Sequence, residues 1–176
     1  MRKVLGEKFF ERPAPEVAQG LLGKFLVRRI GKREIASKIV EVEAYEGSGD
    51  KASHAYRGVT ERNRVMFEYP GRWYVYFVYG MHWMLNIVTG IHGHPGAVLI
   101  RGTEAVNGPG RLTKHFKIGE ELNGLPAVKK EGLWIEDRGL ALEASQIKKT
   151  PRVGVDYAGH YWAGRKYRFL LLTDKS

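Results

Sequence analysis

The residues best suited to chemistry lie between Ile39 and His54. Side chains alternate between the two faces of a strand, so Glu41, Glu43 and Tyr45 would share one face of an extended segment. The opposite face would carry Val40, Val42 and Ala44. Two carboxylates and a phenol would then precede a Gly-Ser-Gly turn, and loops at strand ends are where scaffolds commonly place reactive groups. The alternative is a solvent-facing edge whose glutamates keep the strand soluble.

Composition and charge restrict the class of protein. A chain of 176 residues with 43% hydrophobic and 27% charged residues is typical of one soluble globular domain, here residues 1–176. Lys and Arg number 29 against 19 for Asp and Glu, and the net charge of +10 favours nucleic acid as a partner over an anionic membrane surface. The absence of cysteine excludes disulfides and cysteine-ligated zinc. Without an export signal or a membrane-length apolar run, we expect an intracellular protein with no membrane partner.

Local patterns predict the elements that would position these residues. A proline, an acidic residue and an apolar stripe closed by glycine predict a short helix over Pro13–Gly23. Strands are predicted over Lys24–Ile30, Glu34–Ala44, Ala97–Arg101 and Leu133–Asp137. No repeat, low-complexity segment or linker interrupts the chain, so these elements should form one domain.

A long aromatic run extends from Trp73 to Thr89. Its β-branched and aromatic residues predict two strands, and Gly80 breaks the run into a hairpin. Tyr79 and Met81 would flank the tip, where a large apolar side chain has no obvious core to enter. Single exposed apolar residues are common on soluble proteins. The sharper interpretation is a wedge inserted between stacked bases.

Three polar or basic segments could contact a polyanion: Arg57–Arg64, Asn107–Lys114 and Lys148–Arg168. The second is expected to be a loop that opens a helix, where backbone amides and basic side chains could hold a phosphate. The third contains six basic residues and one acid, which favours a surface facing a polyanion. Each of the first two could equally be an ordinary solvated loop.

Two other kinds of chemistry have weaker support. His92 and His94 could ligate a metal, but they lie in a glycine-rich turn without a third ligand at a known spacing, so we expect no metal site. Glu41 and Glu43 could form the carboxylate pair of a glycosidase, with either stereochemical outcome open. A sugar hydrolase, however, gives no reason for the strong positive charge.

A carboxylate, a set of aromatic residues and a basic exterior together favour cleavage of an N-glycosidic bond in nucleic acid. A base stacked inside a duplex must be swung out, and a side chain must fill the gap. Aromatic faces can hold the extruded base, by cation–π attraction as well as stacking when alkylation has made the base cationic. A nearby carboxylate can stabilise the cationic sugar and take a proton from the attacking water.

Several motifs follow one another in a specific order from about residue 39 to residue 169. They are Glu43-Ala44-Tyr45 with His54, Arg62-Asn63-Arg64, Met66-Phe67, Tyr74-Val75-Tyr76, Tyr79-Gly80-Met81, Asn86, Leu99-Ile100-Arg101, Gly108-Pro109 with Arg111-Leu112, and Arg152-Val153-Gly154-Val155 with Ala158-Gly159. No single motif is decisive. Together they resemble the alkyladenine (3-methyladenine) DNA glycosylase family.

The resemblance implies an α+β fold: a single domain with a curved, mainly antiparallel sheet, flanking helices and a protruding β-hairpin. It also implies that Glu43 is the general base, and that Arg101 and the Val153 carbonyl help to hold the attacking water. An arginine close to Glu43 should keep that carboxylate ionised.

The resemblance assigns the remaining site residues by position. Tyr45 would lie on one face of the flipped base, with His54 and Tyr76 on the other. Asn86 would discriminate against the amino group of guanine. At the tip, the resemblance implies that Tyr79 intercalates where the base was, with Met81 beside it.

The implied activity is monofunctional excision of alkylated or deaminated purines from double-stranded DNA, with no lyase step and no cofactor, by a monomer. Such a protein would work in the cytoplasm (nucleoid) of a prokaryote or the nucleus of a eukaryote. Two features depart from larger members: the stretch from Gly102 to Val106 is short and lacks a proline after Glu104, and no long basic N-terminal tail is present. A non-catalytic nucleic-acid-binding module, with Tyr79 stacking on bases, is the alternative.

Overall fold

The computed structural model describes residues 1–172, in which short helices flank a curved sheet. The ten strands in this range are β1 Lys3–Val4, β2 Phe25–Ile30, β3 Arg33–Tyr45, β4 Trp73–Val78, β5 His82–Thr89, β6 Gly96–Thr103, β7 Val106–Asn107, β8 Leu133–Asp137, β9 Ile147–Thr150 and β10 Arg168–Leu171. The α-helices are α1 Glu7–Phe10, α2 Ala14–Leu21, α3 Pro109–His115 and α4 Gly159–Gly164. None of the helices within residues 1–172 is long and apolar enough to span a bilayer.

The long strand β3 organises the sheet. Its first half pairs with β2, and its second half pairs with β6 and with β10. The main path runs β1-β8-β2-β3-β6-β5-β4, with β7 paired to β6 and β9 to β10, and all of these pairs are antiparallel. The expected α+β class with a curved antiparallel sheet is therefore confirmed. The four strands predicted outside the hairpin are present as β2, β3, β6 and β8.

A β-bulge in β3 changes one face assignment. The register toward β6 shifts between Ile39 and Glu41 and again between Glu41 and Val42. Ile39 and Val42 are both fully buried in the core, whereas Val40 is only half-buried. The prediction that Val40 shares the core face with Val42 is wrong, because the bulge inserts an extra residue and resets the alternation.

Helix α2 covers one face of the sheet. It begins at Ala14, with Pro15 in its first turn, and Gly23 at φ 77° follows its end, as predicted from the sequence. Val17 and Leu21 have no exposed surface and pack in one core with apolar side chains of β3, β4, β5 and β6. Side chains on the opposite face of these strands are not part of this core.

Strands β4 and β5 form the predicted hairpin. The N–H of Met81 donates to the carbonyl of Val78 at 3.1 Å and closes a four-residue turn. The two central residues, Tyr79 and Gly80, have φ values of 53° and 64°, both in the left-handed region that a type I′ turn requires. Tyr79 is 88% exposed and Met81 is 66% exposed, so the tip protrudes as expected.

Candidate active site

The carboxylate of Glu43 lies in a cavity beside β3 and has no exposed surface. Its Oε1 accepts a hydrogen bond from the Val153 N–H at 2.7 Å, and its Oε2 accepts one from the Tyr45 hydroxyl at 2.9 Å. Nη1 of Arg101 lies 3.7 Å from the same Oε2. The alternative of a solvent-facing glutamate is therefore wrong for this position.

Burial and charge act in opposite directions on Glu43. Loss of contact with water is the largest effect and raises the pKa of its carboxyl above the ordinary value. Arg101, the two hydrogen bonds from Val153 and Tyr45, and Arg152 lower this pKa without cancelling the rise. The nearby arginine favours the ionised form as expected, but the net result is a carboxyl that holds its proton more tightly than a solvated glutamate.

Glu41 anchors Arg101 and does not contribute to the cavity lining. Its Oε1 accepts hydrogen bonds from Nε of Arg101 at 3.0 Å and from Nε of Arg168 at 2.7 Å. Glu41 is only 7% exposed. This geometry gives no support to the glycosidase alternative, because the second carboxylate that it requires is bound to two arginines.

A buried ion pair anchors the segment that carries Val153. The Arg152 and Asp50 side chains have no exposed surface, and two hydrogen bonds join them, from Nη1 to Oδ2 and from Nη2 to Oδ1. Nη1 of Arg152 also donates to the carbonyl of Ala44 at 2.9 Å. Because Val153 follows directly, this pair fixes the backbone N–H that reaches Glu43. The contact with Glu43 is made by this N–H, whereas the sequence resemblance concerns the Val153 carbonyl.

The basic segment Lys148–Arg168 is less exposed than its composition suggests. Arg152 is buried against Asp50, and Arg168 is paired with Glu41. Lys148, Lys149 and Lys166 are exposed. The prediction of a surface that faces a polyanion is therefore wrong for Arg152. Arg168 is half-buried, and its pairing with Glu41 supports the residues around Glu43.

Aromatic side chains form walls of the cavity. The rings of His54 and Tyr76 have centroids 4.6 Å apart, and those of Tyr74 and Tyr76 are 5.1 Å apart. Nδ1 of His54 lies 3.0 Å from the Tyr74 hydroxyl. Burial lowers the pKa of His54 and raises that of Tyr76 to about 12, and the charge of Arg62 lowers both. Both rings are therefore uncharged at neutral pH.

Asn63 shapes the loop that presents His54. This side chain is 1% exposed, and its Nδ2 donates to the carbonyls of His54 and Gly58, each at 2.9 Å. Its Oδ1 accepts a hydrogen bond from the N–H of Thr60 at 2.7 Å. The Arg62-Asn63-Arg64 motif thus places one structural residue between two exposed arginines.

The cavity has a volume of about 370 Å³, within the range of about 300–1,000 Å³ that is typical of small-molecule sites. The predicted site residues that line it are Glu43, Tyr45, His54, Tyr76, Tyr79, Asn86, Arg101 and Val153. Asn86 is 3% exposed, and its Nδ2 donates to the Tyr74 carbonyl at 3.1 Å. Met81 is the one predicted residue outside this lining, and it lies at the hairpin tip.

Sequence reasoning missed several residues of the site. Met66, Tyr74 and Tyr157 also line the cavity. The hydroxyl of Tyr157 donates to the Ala52 carbonyl at 2.9 Å. Met66 and Tyr74 belong to motifs that carry the family resemblance, so a signal for them was present. Tyr157 lies two residues after Val155, another lining residue, which is a much weaker signal.

The other candidate segments have clearer structural explanations. Within residues 1–172, no cluster of three or more His, Asp or Glu side chains could hold a metal ion. His92 stacks on Tyr69 with ring centroids 4.2 Å apart. The predicted loop before a helix is present, with Gly108 at φ 96° before α3, and Pro109 lines the cavity.

Together, the fold and the cavity define a protein that can hold a planar ring system beside a buried carboxylate. A family model for the methylpurine-DNA glycosylases matches residues 8–107 and 102–175. A protein of Methanocella arvoryzae named "Putative 3-methyladenine DNA glycosylase" is 44% identical over 94% of this chain and 91% of its own length. Proteins with the same name are 44% identical in Anaeromyxobacter dehalogenans strain 2CP-C, over 95% of this chain and 83% of the relative, and 38% identical in Borreliella burgdorferi, over 95% of both chains. The chain therefore belongs to the methylpurine-DNA glycosylase family, and the family resemblance is confirmed.

Proposed function

We propose that this chain hydrolyses the N-glycosidic bond between deoxyribose and a damaged purine in double-stranded DNA. The observation that carries the proposal is the buried carboxylate of Glu43, which lines an aromatic cavity with Arg101 and Val153 beside it. Family membership and the net charge of +10 support DNA as the partner. The substrate class comprises alkylated or deaminated purines such as 3-methyladenine, 7-methylguanine, hypoxanthine and ethenoadenine.

The damaged nucleotide leaves the base stack before it reacts, because a stacked base could not reach the buried Glu43. Tyr79 at the hairpin tip fills the vacated space, with Met81 beside it. The backbone of Tyr79 supports this role. A tyrosine at φ 53° is held in a region that disfavours bulky residues, and such positions occur at functional sites more often than elsewhere.

The cavity then holds the base by stacking. Tyr45 lies on one face of the base, and His54 and Tyr76 lie on the other. These rings are uncharged at neutral pH and can stack on a planar purine. Asn86 lines the cavity and excludes guanine by its poor fit to the exocyclic amino group.

Hydrolysis breaks the bond between C1′ and the purine nitrogen, and the electron pair leaves with the base. The ionised Glu43 stabilises the positive charge on the sugar and takes a proton from water, while the water oxygen bonds to C1′. Arg101 and the Val153 carbonyl orient this water. Among the described residues, the cavity lining contains no lysine, which supports a monofunctional enzyme whose products are the free base and an abasic site.

Duplexes that each carry one hypoxanthine, one ethenoadenine or one 7-methylguanine test the proposal. We expect an abasic site in at least one of them, detected by alkaline cleavage of the strand. Glu43→Gln should abolish the product while binding to the duplex survives, and Glu104→Gln on the surface should leave the rate unchanged. Cleavage at the normal rate by Glu43→Gln would refute the role of Glu43. Salt-dependent binding without product from any duplex would instead favour the binding-module alternative.

One copy of the chain supplies all of these groups, so we propose that it acts as a monomer. Light scattering of the purified protein with and without a lesion duplex tests this. We expect the mass of one chain, or of one chain per duplex, whereas a dimer under both conditions would contradict it.

A further inference from the structure

Arg62 lies behind one aromatic wall of the cavity. Its guanidinium carbon is 5.2 Å from the centre of the Tyr76 ring, and its Nη2 donates to the Phe77 carbonyl at 3.0 Å. Tyr76 lines both the cavity and a second, open groove of about 600 Å³, whereas Arg62 lines only the groove. The cation is therefore fixed on the side of the Tyr76 ring that faces away from the cavity.

The charge of Arg62 acts on groups inside the cavity. It lowers the pKa of His54 and partly opposes the rise in pKa that burial causes at Tyr74 and Tyr76. The neighbouring Glu61 pairs with Arg64 at 3.7 Å. The charge of Arg62 therefore affects the pKa of groups in the cavity, although Arg62 itself lies behind the Tyr76 ring.

The other stacking wall, formed by Tyr45, also has an arginine beside its ring, but the charge of that arginine is paired. The guanidinium of Arg152 lies 4.7 Å from the centre of the Tyr45 ring, but the buried carboxylate of Asp50 neutralises it. The charge of Arg152 is therefore opposed by a buried carboxylate, whereas the acidic neighbour of Arg62 in the chain, Glu61, pairs with Arg64 instead.

We propose that Arg62 is a specificity-determining residue that disfavours cationic purines relative to neutral ones. This inference rests on the proposed function. A cationic base on the inner face of Tyr76 is repelled by the guanidinium, and it meets a ring whose electrons are already drawn toward the outer face. A neutral purine lacks the repulsion and stacks on the same ring. The substrate class that this wall favours is therefore neutral lesions such as hypoxanthine and ethenoadenine.

Competition between two lesions measures this effect directly. One duplex carries a single 7-methylguanine and the other a single hypoxanthine in the same sequence, and both are present in one reaction. In Arg62→Gln we expect the ratio of kcat/KM, cationic over neutral, to rise about two- to fivefold, the range of a cation–π contact at an exposed site. Arg64→Gln removes the same charge from the same loop and should leave the ratio unchanged. Arg62→Lys keeps the charge and should stay close to the wild-type ratio.

The outcomes distinguish this inference from its alternatives. If Arg62 only binds DNA phosphates, its loss lowers both kcat/KM values together, and the unchanged ratio overturns the inference alone. No product from either duplex overturns the proposed function, and the inference with it. As a second measurement, NMR titration should show His54 protonating at higher pH in Arg62→Gln than in wild type or Arg64→Gln. An unchanged His54 titration would also contradict the inference.

Discussion

Burial gives Glu43 two opposing properties as a general base. Loss of water raises the proton affinity of its carboxyl, which makes the ionised form a stronger proton acceptor. The same rise in pKa narrows the pH range in which that form exists. Arg101, 3.7 Å away, is the largest of the influences that lower this pKa. The pH dependence of base excision should therefore change when Arg101 is removed.

We expect kcat/KM on a hypoxanthine duplex to fall as the pH drops through the raised pKa of Glu43. This fall should begin above the pH at which an ordinary glutamate is protonated. Arg101→Gln removes a positive neighbour, so the pKa of Glu43 should rise further and the acidic limb should move to higher pH. Arg168→Gln is the matched control, because Arg168 pairs with Glu41 as Arg101 does, whereas the charges that lower the pKa of Glu43 are those of Arg101 and Arg152. An acidic limb that stays in place in Arg101→Gln would contradict this account.

At the scale of elements, the turn between β4 and β5 contains a residue that its backbone disfavours. Type I′ turns prefer Asn-Gly at the two central positions because both have positive φ. Here the pair is Tyr79-Gly80, with φ values of 53° and 64°. The tyrosine is also almost fully exposed, so packing does not explain it.

Tyr79→Asn should therefore stabilise the protein while it impairs the reaction. Relief of the backbone strain should raise the free energy of unfolding by about 0.5–1 kcal/mol, measured by urea denaturation. Loss of the ring should lower excision from duplex DNA at least about tenfold in single-turnover assays, the scale of one base–aromatic stacking contact. Tyr161→Asn, at another exposed tyrosine, should leave excision unchanged. Wild-type excision by Tyr79→Asn would mean that the exposed ring is not used.

The ion pair between Asp50 and Arg152 joins two elements of the site. It connects the loop after β3 to the segment before Val153, and neither side chain has any exposed surface. Asp50→Asn leaves the arginine buried without its counter-charge, so we expect a loss of about 3–5 kcal/mol in the free energy of unfolding. Glu104→Gln breaks the ion pair with Lys38 near the surface and should cost less than about 1 kcal/mol. Equal losses in the two variants would show that the buried pair has no special structural role.

At the scale of the whole molecule, the sequence predicts those features that depend on residues close together in the chain. Helix α2 and the hairpin follow from proline, glycine and apolar spacing, which act over a few residues. The bulge between Ile39 and Val42 does not follow from alternation, because it depends on the register toward β6. The pairing of Arg152 with Asp50 joins positions 102 residues apart, and no local pattern encodes it. The sequence therefore suggests that Arg152 is a surface cation, although it is buried in the structure.

Prediction of the candidate site is limited in the same way, because no local pattern encodes contacts between residues far apart in the chain. The family resemblance singles out Glu43 and most of the residues that line the cavity with it. It does not give the direction in which the pKa of Glu43 shifts, because burial is the largest cause and is decided by the packing of the whole chain. The raised pKa of Glu43 affects the stability of the folded protein as well as catalysis.

Ionisation of Glu43 should cost the folded protein stability. Its pKa is higher in the folded state than in the unfolded state, so the folded chain binds more protons between the two values. The sign follows from linkage. The contribution of Glu43 to stability is fully present below its unfolded pKa, and it is lost as the pH rises through the raised folded value.

Glu43→Gln tests this, because a neutral amide can still accept the Val153 N–H hydrogen bond without a buried charge. The free energy of unfolding of the variant minus that of wild type should increase as the pH is raised from about 4 to about 8, measured by urea denaturation at each pH. The exposed Glu104 provides the control, since Glu104→Gln should show no comparable increase. A difference that shrinks with rising pH would mean that the ionised Glu43 is stabilised in the fold. In that case Glu43→Gln would lose both activity and stability. We expect instead that it loses activity and gains stability, because it removes a buried catalytic charge.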